Sequence, residues 1–150
     1  MAVGGTRILR VSSVWVSEVE EEGRLLEEHE VYSLVGSEGF ERLCAAFYRQ
    51  VPGDDLLGPM YPENDWEGAE QRLRDFLIYR FGGPQTYILQ RGHPRLRGRH
   101  APFAIGQSAR DRWVLLMDRA LEQADLPSPA ADTLRQFFDH MATFLINRAE

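Results

Sequence analysis

The chain has 150 residues, enough for one domain with a real core and not comfortably enough for two, and its 43% hydrophobic and 27% charged residues are those of an ordinary globular protein. A formal net charge of −6 disfavours nucleic acid as a partner of the whole surface, because phosphate binding needs a large basic face. The single cysteine, Cys44, excludes an internal disulfide and any multi-cysteine zinc or iron–sulfur site, and suits a reducing cytoplasm.

Residues 1–30 carry three arginines against seven glutamates and lack amphipathic spacing. They read as a flexible N-terminal extension to a body spanning residues 31–150. Arg7 and Arg10 are not followed by an apolar run of the kind that directs export. No stretch approaches the roughly 20 apolar residues that cross a bilayer, so a cytoplasmic protein with no membrane partner is expected.

From about Val31 a helical period sets in. Phe40, Leu43, Cys44, Phe47, Tyr48 and Val51 fall on one helix face, and Pro52-Gly53-Asp54 ends it. Asp65 is placed to cap a second helix, whose face reads Trp66, Ala69, Leu73, Phe76 and Leu77 before Gly82-Gly83-Pro84 stops it. The connector from Tyr87 to Gly106 contains Gly92, Pro94, Gly98 and Pro102, so no long helix runs through it. It also holds Arg91, Arg95, Arg97 and Arg99, with His93 and His100 and no acid, a local anion site on an acidic chain. A third helix carries Trp113, Leu116, Met117, Ala120, Leu121 and Ala124; a fourth carries Leu134, Phe137, Phe138, Met141, Phe144 and Leu145. No segment of comparable length alternates with period two, and the fold class is all-α.

His93 and His100 are the candidate ligands of the connector. Surface histidines are the ordinary reading. Zinc requires three or four ligands, and no partners stand nearby. Haem iron requires only one protein ligand, with an apolar slot for the ring and cations for its propionates. On the residues alone both histidines stay open.

A set of fixed spacings goes further. Phe81-Gly82-Gly83-Pro84-Gln85-Thr86-Tyr87, Gly92-His93-Pro94-Arg95-Leu96-Arg97 and Arg99-His100-Ala101-Pro102-Phe103, with Phe47-Tyr48 and Tyr61-Pro62-Glu63 upstream and Trp113 downstream, resemble the signature of group II truncated haemoglobins over about residues 31–147. The resemblance implies a two-over-two helical sandwich around haem b. It implies His100, standing just before Ala-Pro-Phe, as the iron ligand ahead of His93. Tyr48, Tyr61 and Trp113 would form the distal ligand pocket, offering two phenol hydroxyls and an indole N–H to a bound diatomic. Ala69 would stand where ordinary globins often have histidine, with Leu73 and Phe76 closing the apolar side. Tyr87 would contact the haem, and Arg72, Arg97 and Arg99 would reach toward propionates, against the plain alternative of solvated charge.

The implied function is reversible binding of oxygen and of other small ligands such as nitric oxide, carbon monoxide or sulfide. Several donors should slow release, which suits redox chemistry, scavenging or sensing better than bulk oxygen transport. A peroxidase-like or nitric-oxide-converting oxidoreductase activity would require a reductase; a monomer or homodimer is expected. Gly36-Ser37 departs from the family's common Gly-Gly pair and alters a turn. A rival reading is a cofactor-free helical interaction module whose basic loop 91–99 docks an acidic partner.

Overall fold

The computed structural model describes residues 8–11, 14–17, 26–62 and 64–150, apart from the side chains of residues 8–17, 86, 87 and 91. Two short strands open it: β1 (Ile8–Val11) and β2 (Val14–Ser17) pair antiparallel, with Ile8 opposite Ser17 and Val11 opposite Val14. A hairpin therefore stands inside the extension, where the sequence pattern predicts no regular element. Its composition explains it, since Ile8, Val11, Val14, Trp15 and Val16 favour extended backbone. The glutamate-rich stretch 18–25 lies outside the described residues.

The remainder is helical: a 3-10 turn at Glu28–Glu30, α1 (Val31–Gln50), a 3-10 turn at Gly58–Met60, α2 (Trp66–Arg80), α3 (Thr86–Arg91), α4 (Leu96–His100), α5 (Gln107–Ala124) and α6 (Ser128–Phe144). Helix α1 packs on α2 and α5, and α5 packs on α6, giving the two-over-two sandwich. Phe40, Leu43, Cys44, Phe47, Leu77, Phe81, Met117 and Leu134 lie fully buried at the junction. Phe81 stacks on Phe40 at 6.1 Å between ring centres and meets Phe137 edge-on at 4.9 Å. Each such phenyl contributes about 1.5–3 kcal/mol by leaving water. The buried Cys44 thiol is pushed well above its ordinary pKa, chiefly by desolvation.

Two glycines shape the frame. Gly36 breaks α1 with φ +70°, a left-handed conformation that glycine adopts without steric cost. The departure from Gly-Gly thus falls on the second position, where Ser37 uses its hydroxyl to meet the Tyr32 hydroxyl at 2.7 Å. Gly82, at φ +97°, lets the turn after α2 lie against the backbone of His29, a spot any Cβ would invade.

Asp65 stands at the head of α2 but makes no side-chain capping bond, contrary to the sequence expectation. Its carboxylate instead meets Arg72 at 2.9 Å, a partner two turns along the helix. Asp54 does tie down backbone: Oδ2 accepts from the N–H groups of Leu56 (3.1 Å) and Leu57 (2.8 Å), and Oδ1 from Arg112 (2.7 Å). The Gly- and Pro-rich connector is resolved into two short helices, α3 and α4, separated by Gly92 and Pro94.

Candidate functional site

A cavity of about 430 Å3 opens between α2, α4, α5, α6 and the turn after α1. That volume lies within the roughly 300–1,000 Å3 typical of sites for small molecules and cofactors. Its lining is mostly aliphatic and aromatic, with a few polar groups of distinct kinds.

The first is an imidazole. His100 ends α4, is half-buried, and lines the cavity. Its Nδ1 lies 2.7 Å from the carbonyl oxygen of Leu96. A carbonyl only accepts, so Nδ1 carries the proton and Nε2 keeps a lone pair for a metal. Phe103 meets the ring edge-on at 6.4 Å. His93 is exposed, takes its Nδ1 contact from the Arg95 N–H at 3.4 Å, and is absent from the lining. Of the two connector histidines, His100 is the one that lines the cavity. Helix α4 starts at Arg95, whose φ of +46° is an unusual conformation for a bulky residue and costs on the order of 1 kcal/mol.

The second is a network of aromatic donors. Tyr48 comes from α1, Tyr61 from the turn before α2 and Trp113 from α5, and all three line the cavity. The Tyr48 and Tyr61 rings meet edge-on at 5.8 Å. Trp113 is wedged between Phe47 at 5.2 Å and Phe138 at 5.5 Å. Burial pushes both phenols above their ordinary pKa, and the Tyr48–Tyr61 hydrogen bond raises Tyr48 further while it and the Trp113 bond pull Tyr61 down. Tyr61 thus shares hydrogen bonds with both Tyr48 and Trp113, and the three side chains form one network. The Asp54–Arg112 bond fixes the turn carrying Tyr61 to the residue preceding Trp113.

The third is cationic. Arg72 and Arg99 line the cavity, and Arg72 is held by Asp65. Arg110 also lines it, clamped by Asp139, Asp111 and Thr143. Arg97 is absent from the lining; its guanidinium sits over the Phe144 ring at 5.2 Å. Ala69, Leu73 and Phe76 line the cavity from α2. The side chain of Tyr87 lies outside the described residues.

With an imidazole and buried donors around one slot, the comparisons with known proteins are decisive. Residues 30–147 match the family model for bacterial-like globins. The chain belongs to that family.

Its relatives narrow the placement to the group II truncated haemoglobins. Group 2 truncated hemoglobin YjbI of Bacillus subtilis is 32% identical over 119 residues, covering 79% of this chain and 89% of the relative. The thermostable hemoglobin of Thermobifida fusca superposes with a TM-score of 0.75 at 45% identity, covering 78% of this chain and 96% of that one. The truncated oxygen-avid haemoglobin of Bacillus subtilis does so with a TM-score of 0.74 at 31% identity, covering 78% and 98%. This globin is a haem protein that binds small gaseous ligands, and its cofactor is haem b.

The residues present fit that group. Among the described residues no cluster of three or more His, Cys, Asp or Glu could hold a bare metal ion. One imidazole with a free Nε2 is the donor set for an iron that arrives with four ring nitrogens of its own. No described helix is long and apolar enough to cross a membrane.

Sequence reasoning missed several lining residues of this globin, among them Leu96, Phe103, Ile105, Arg110, Met141 and Leu145. The face of α6 carried a signal for Met141 and Leu145, but periodicity cannot distinguish a residue packed on core from one that borders a cavity. Arg110 had no signal, because its partner Asp139 lies 29 residues away.

Proposed function

We propose that this truncated haemoglobin holds haem through Nε2 of His100 and retains a diatomic ligand against a donor network whose leading group is the Tyr61 hydroxyl. The observation that carries the reading is the single cavity lined by His100, with Nδ1 already committed to Leu96, and by Tyr48, Tyr61 and Trp113. Bound haem supplies the iron at which oxygen, nitric oxide, carbon monoxide or sulfide is taken up. The chain's own residues then decide how long the ligand stays.

In this reading Tyr61 donates its O–H into the cavity. Tyr48 and Trp113, by donating to the Tyr61 oxygen, make that O–H more polar and stop the phenol from turning away. That donated bond contributes about 1–2 kcal/mol, so it slows release by roughly five- to thirtyfold. Ala69 puts no long side chain at the cavity from α2, which leaves passage for small ligands. Arg72 and Arg99 supply positive charge for the haem propionates.

Slow release favours redox, scavenging or sensing roles over bulk oxygen delivery. An oxidoreductase turnover, peroxidase-like or nitric-oxide-converting, would draw electrons from a separate reductase. The test is an absorption spectrum of protein purified with haem available. A Soret band that moves on reduction and again with carbon monoxide is expected; its absence overturns the reading.

A further inference from the structure

Helix α4 has only five residues, too few to be stable alone, and it begins at a left-handed arginine. The imidazole at its end therefore needs an outside restraint. One comes from 47 residues further along the chain, in the segment after α6. Asn147 donates through Nδ2 to the carbonyl oxygens of His100 (3.2 Å) and Phe103 (2.9 Å), and accepts through Oδ1 from the N–H of Ile105 (2.9 Å). Its own N–H donates to the Ile105 carbonyl at 2.8 Å, and that of Arg148 does so at 3.1 Å.

One amide side chain thus has its donor and acceptor atoms in use on three residues of the connector, and two main-chain bonds hold it in register. The His100 carbonyl also accepts from the Phe103 N–H at 3.0 Å, which closes a tight ring around the histidine's backbone. Leu145 and Ile105, on the two sides of this clasp, both line the cavity, so the clasp forms part of its wall.

We propose that Asn147 is a positioning residue for His100: it fixes the backbone from which the imidazole projects, and so sets the direction and strain of the bond from Nε2 to iron. The proposal rests on the reading of His100 as the iron ligand, and it concerns a residue outside the cavity lining.

Two variants test it. Asn147→Ala removes all three side-chain bonds. Asn147→Asp keeps the acceptor for Ile105 and both main-chain bonds but removes the two donations to His100 and Phe103. In the ferrous, ligand-free protein the iron–histidine stretching band should shift or broaden in both variants, more in Asn147→Ala. Haem transfer to an excess of an apoglobin acceptor should accelerate by roughly tenfold or more. In haem-free protein the Ile105 amide should exchange faster in Asn147→Ala than in the parent. The C–O stretching band of the carbon monoxide complex, which reports the donor network, should stay put in both.

An unchanged iron–histidine band and haem-transfer rate in both variants overturn the proposal, as does an equal disturbance of the C–O band, the mark of general loosening. If Asn147→Ala does not fold, Asn147→Asp decides by the same bands. Failure of the reading beneath is distinguishable: in that case His100→Ala, with Asn147 intact, keeps the parental haem affinity.

Discussion

The two sides of the cavity are built by different means. The donor side is made of rings on three separate segments, α1, the turn before α2 and α5, packed edge to face and joined by side-chain hydrogen bonds. The histidine side is a five-residue helix on an arginine-rich connector, its imidazole held by the Leu96 carbonyl and its backbone by Asn147. The first resists change because every ring buttresses another in a close-packed interior. The second is precise only as long as a few backbone bonds persist. In the function proposed above, rigidity falls where the donors would meet the ligand, and a clasped loop falls where one coordination bond would hold the haem.

The sharpest way to break this contrast is to remove the imidazole. His100→Ala is expected to lower haem affinity by more than the roughly hundredfold that follows loss of a partner to a metal ligand, while His93→Ala leaves it unchanged. Haem titration of the two variants measures it. Parental affinity in His100→Ala would move the ligand elsewhere and undo the assignment of the two sides.

Next comes the order of the donors. Oxygen dissociation, followed by stopped flow, should accelerate most in Tyr61→Phe, by roughly ten- to thirtyfold, less in Trp113→Phe, and least in Tyr48→Phe. In the proposed network Tyr61 is the group that donates to the ligand. Trp113 is fixed between two phenyl rings and cannot turn away, so its loss should cost more than that of the Tyr48 hydroxyl. A larger effect of Tyr48→Phe than of Tyr61→Phe would reverse the direction of the network.

Smaller effects sharpen the picture of how the donor side is anchored. Burial raises the pKa of the Asp54 carboxyl, but bonds from Leu57, Arg112 and Leu56 outweigh it and hold the group below its ordinary value. Its stabilising effect is therefore present above about pH 4 and lost as the pH falls through the folded value. Asp54→Asn should cost about 1–3 kcal/mol at pH 7 and flatten the acid limb of a thermal-melt series. An unchanged acid limb would show that the turn bearing Tyr61 is anchored by other contacts.

The phenols give the mildest signal, at the opposite end of the scale. Their raised values mean that the folded chain keeps protons the unfolded chain loses near pH 10. The contribution is complete below that pH and declines above it, so melting temperatures should drop between about pH 9.5 and 11, less steeply in Tyr48→Phe. Identical slopes in parent and variant would remove Tyr48 from the buried network.

Much of this molecule is written locally. The apolar spacing of Phe40, Leu43, Cys44 and Phe47, the stop at Gly82-Gly83-Pro84 and the broken connector suffice for an all-helical chain with its elements in the right order, because helical period and backbone limits act over a few residues. The motif around His100 and the pairs Phe47-Tyr48 and Tyr61-Pro62 suffice for the family. The strand pair Ile8–Val11 and Val14–Ser17 was missed because each strand is only four residues long. Asp65 was misjudged because a capping residue's alternatives, here Arg72, depend on where side chains point. Which histidine lines the cavity, which rings surround Tyr61, why Arg97 lies on Phe144 and how Asn147 clasps the connector were settled only by tertiary structure. Each depends on groups that are far apart in sequence, and only the folded packing sets the distances and burial that decide between a hydrogen bond, a ring contact and solvent.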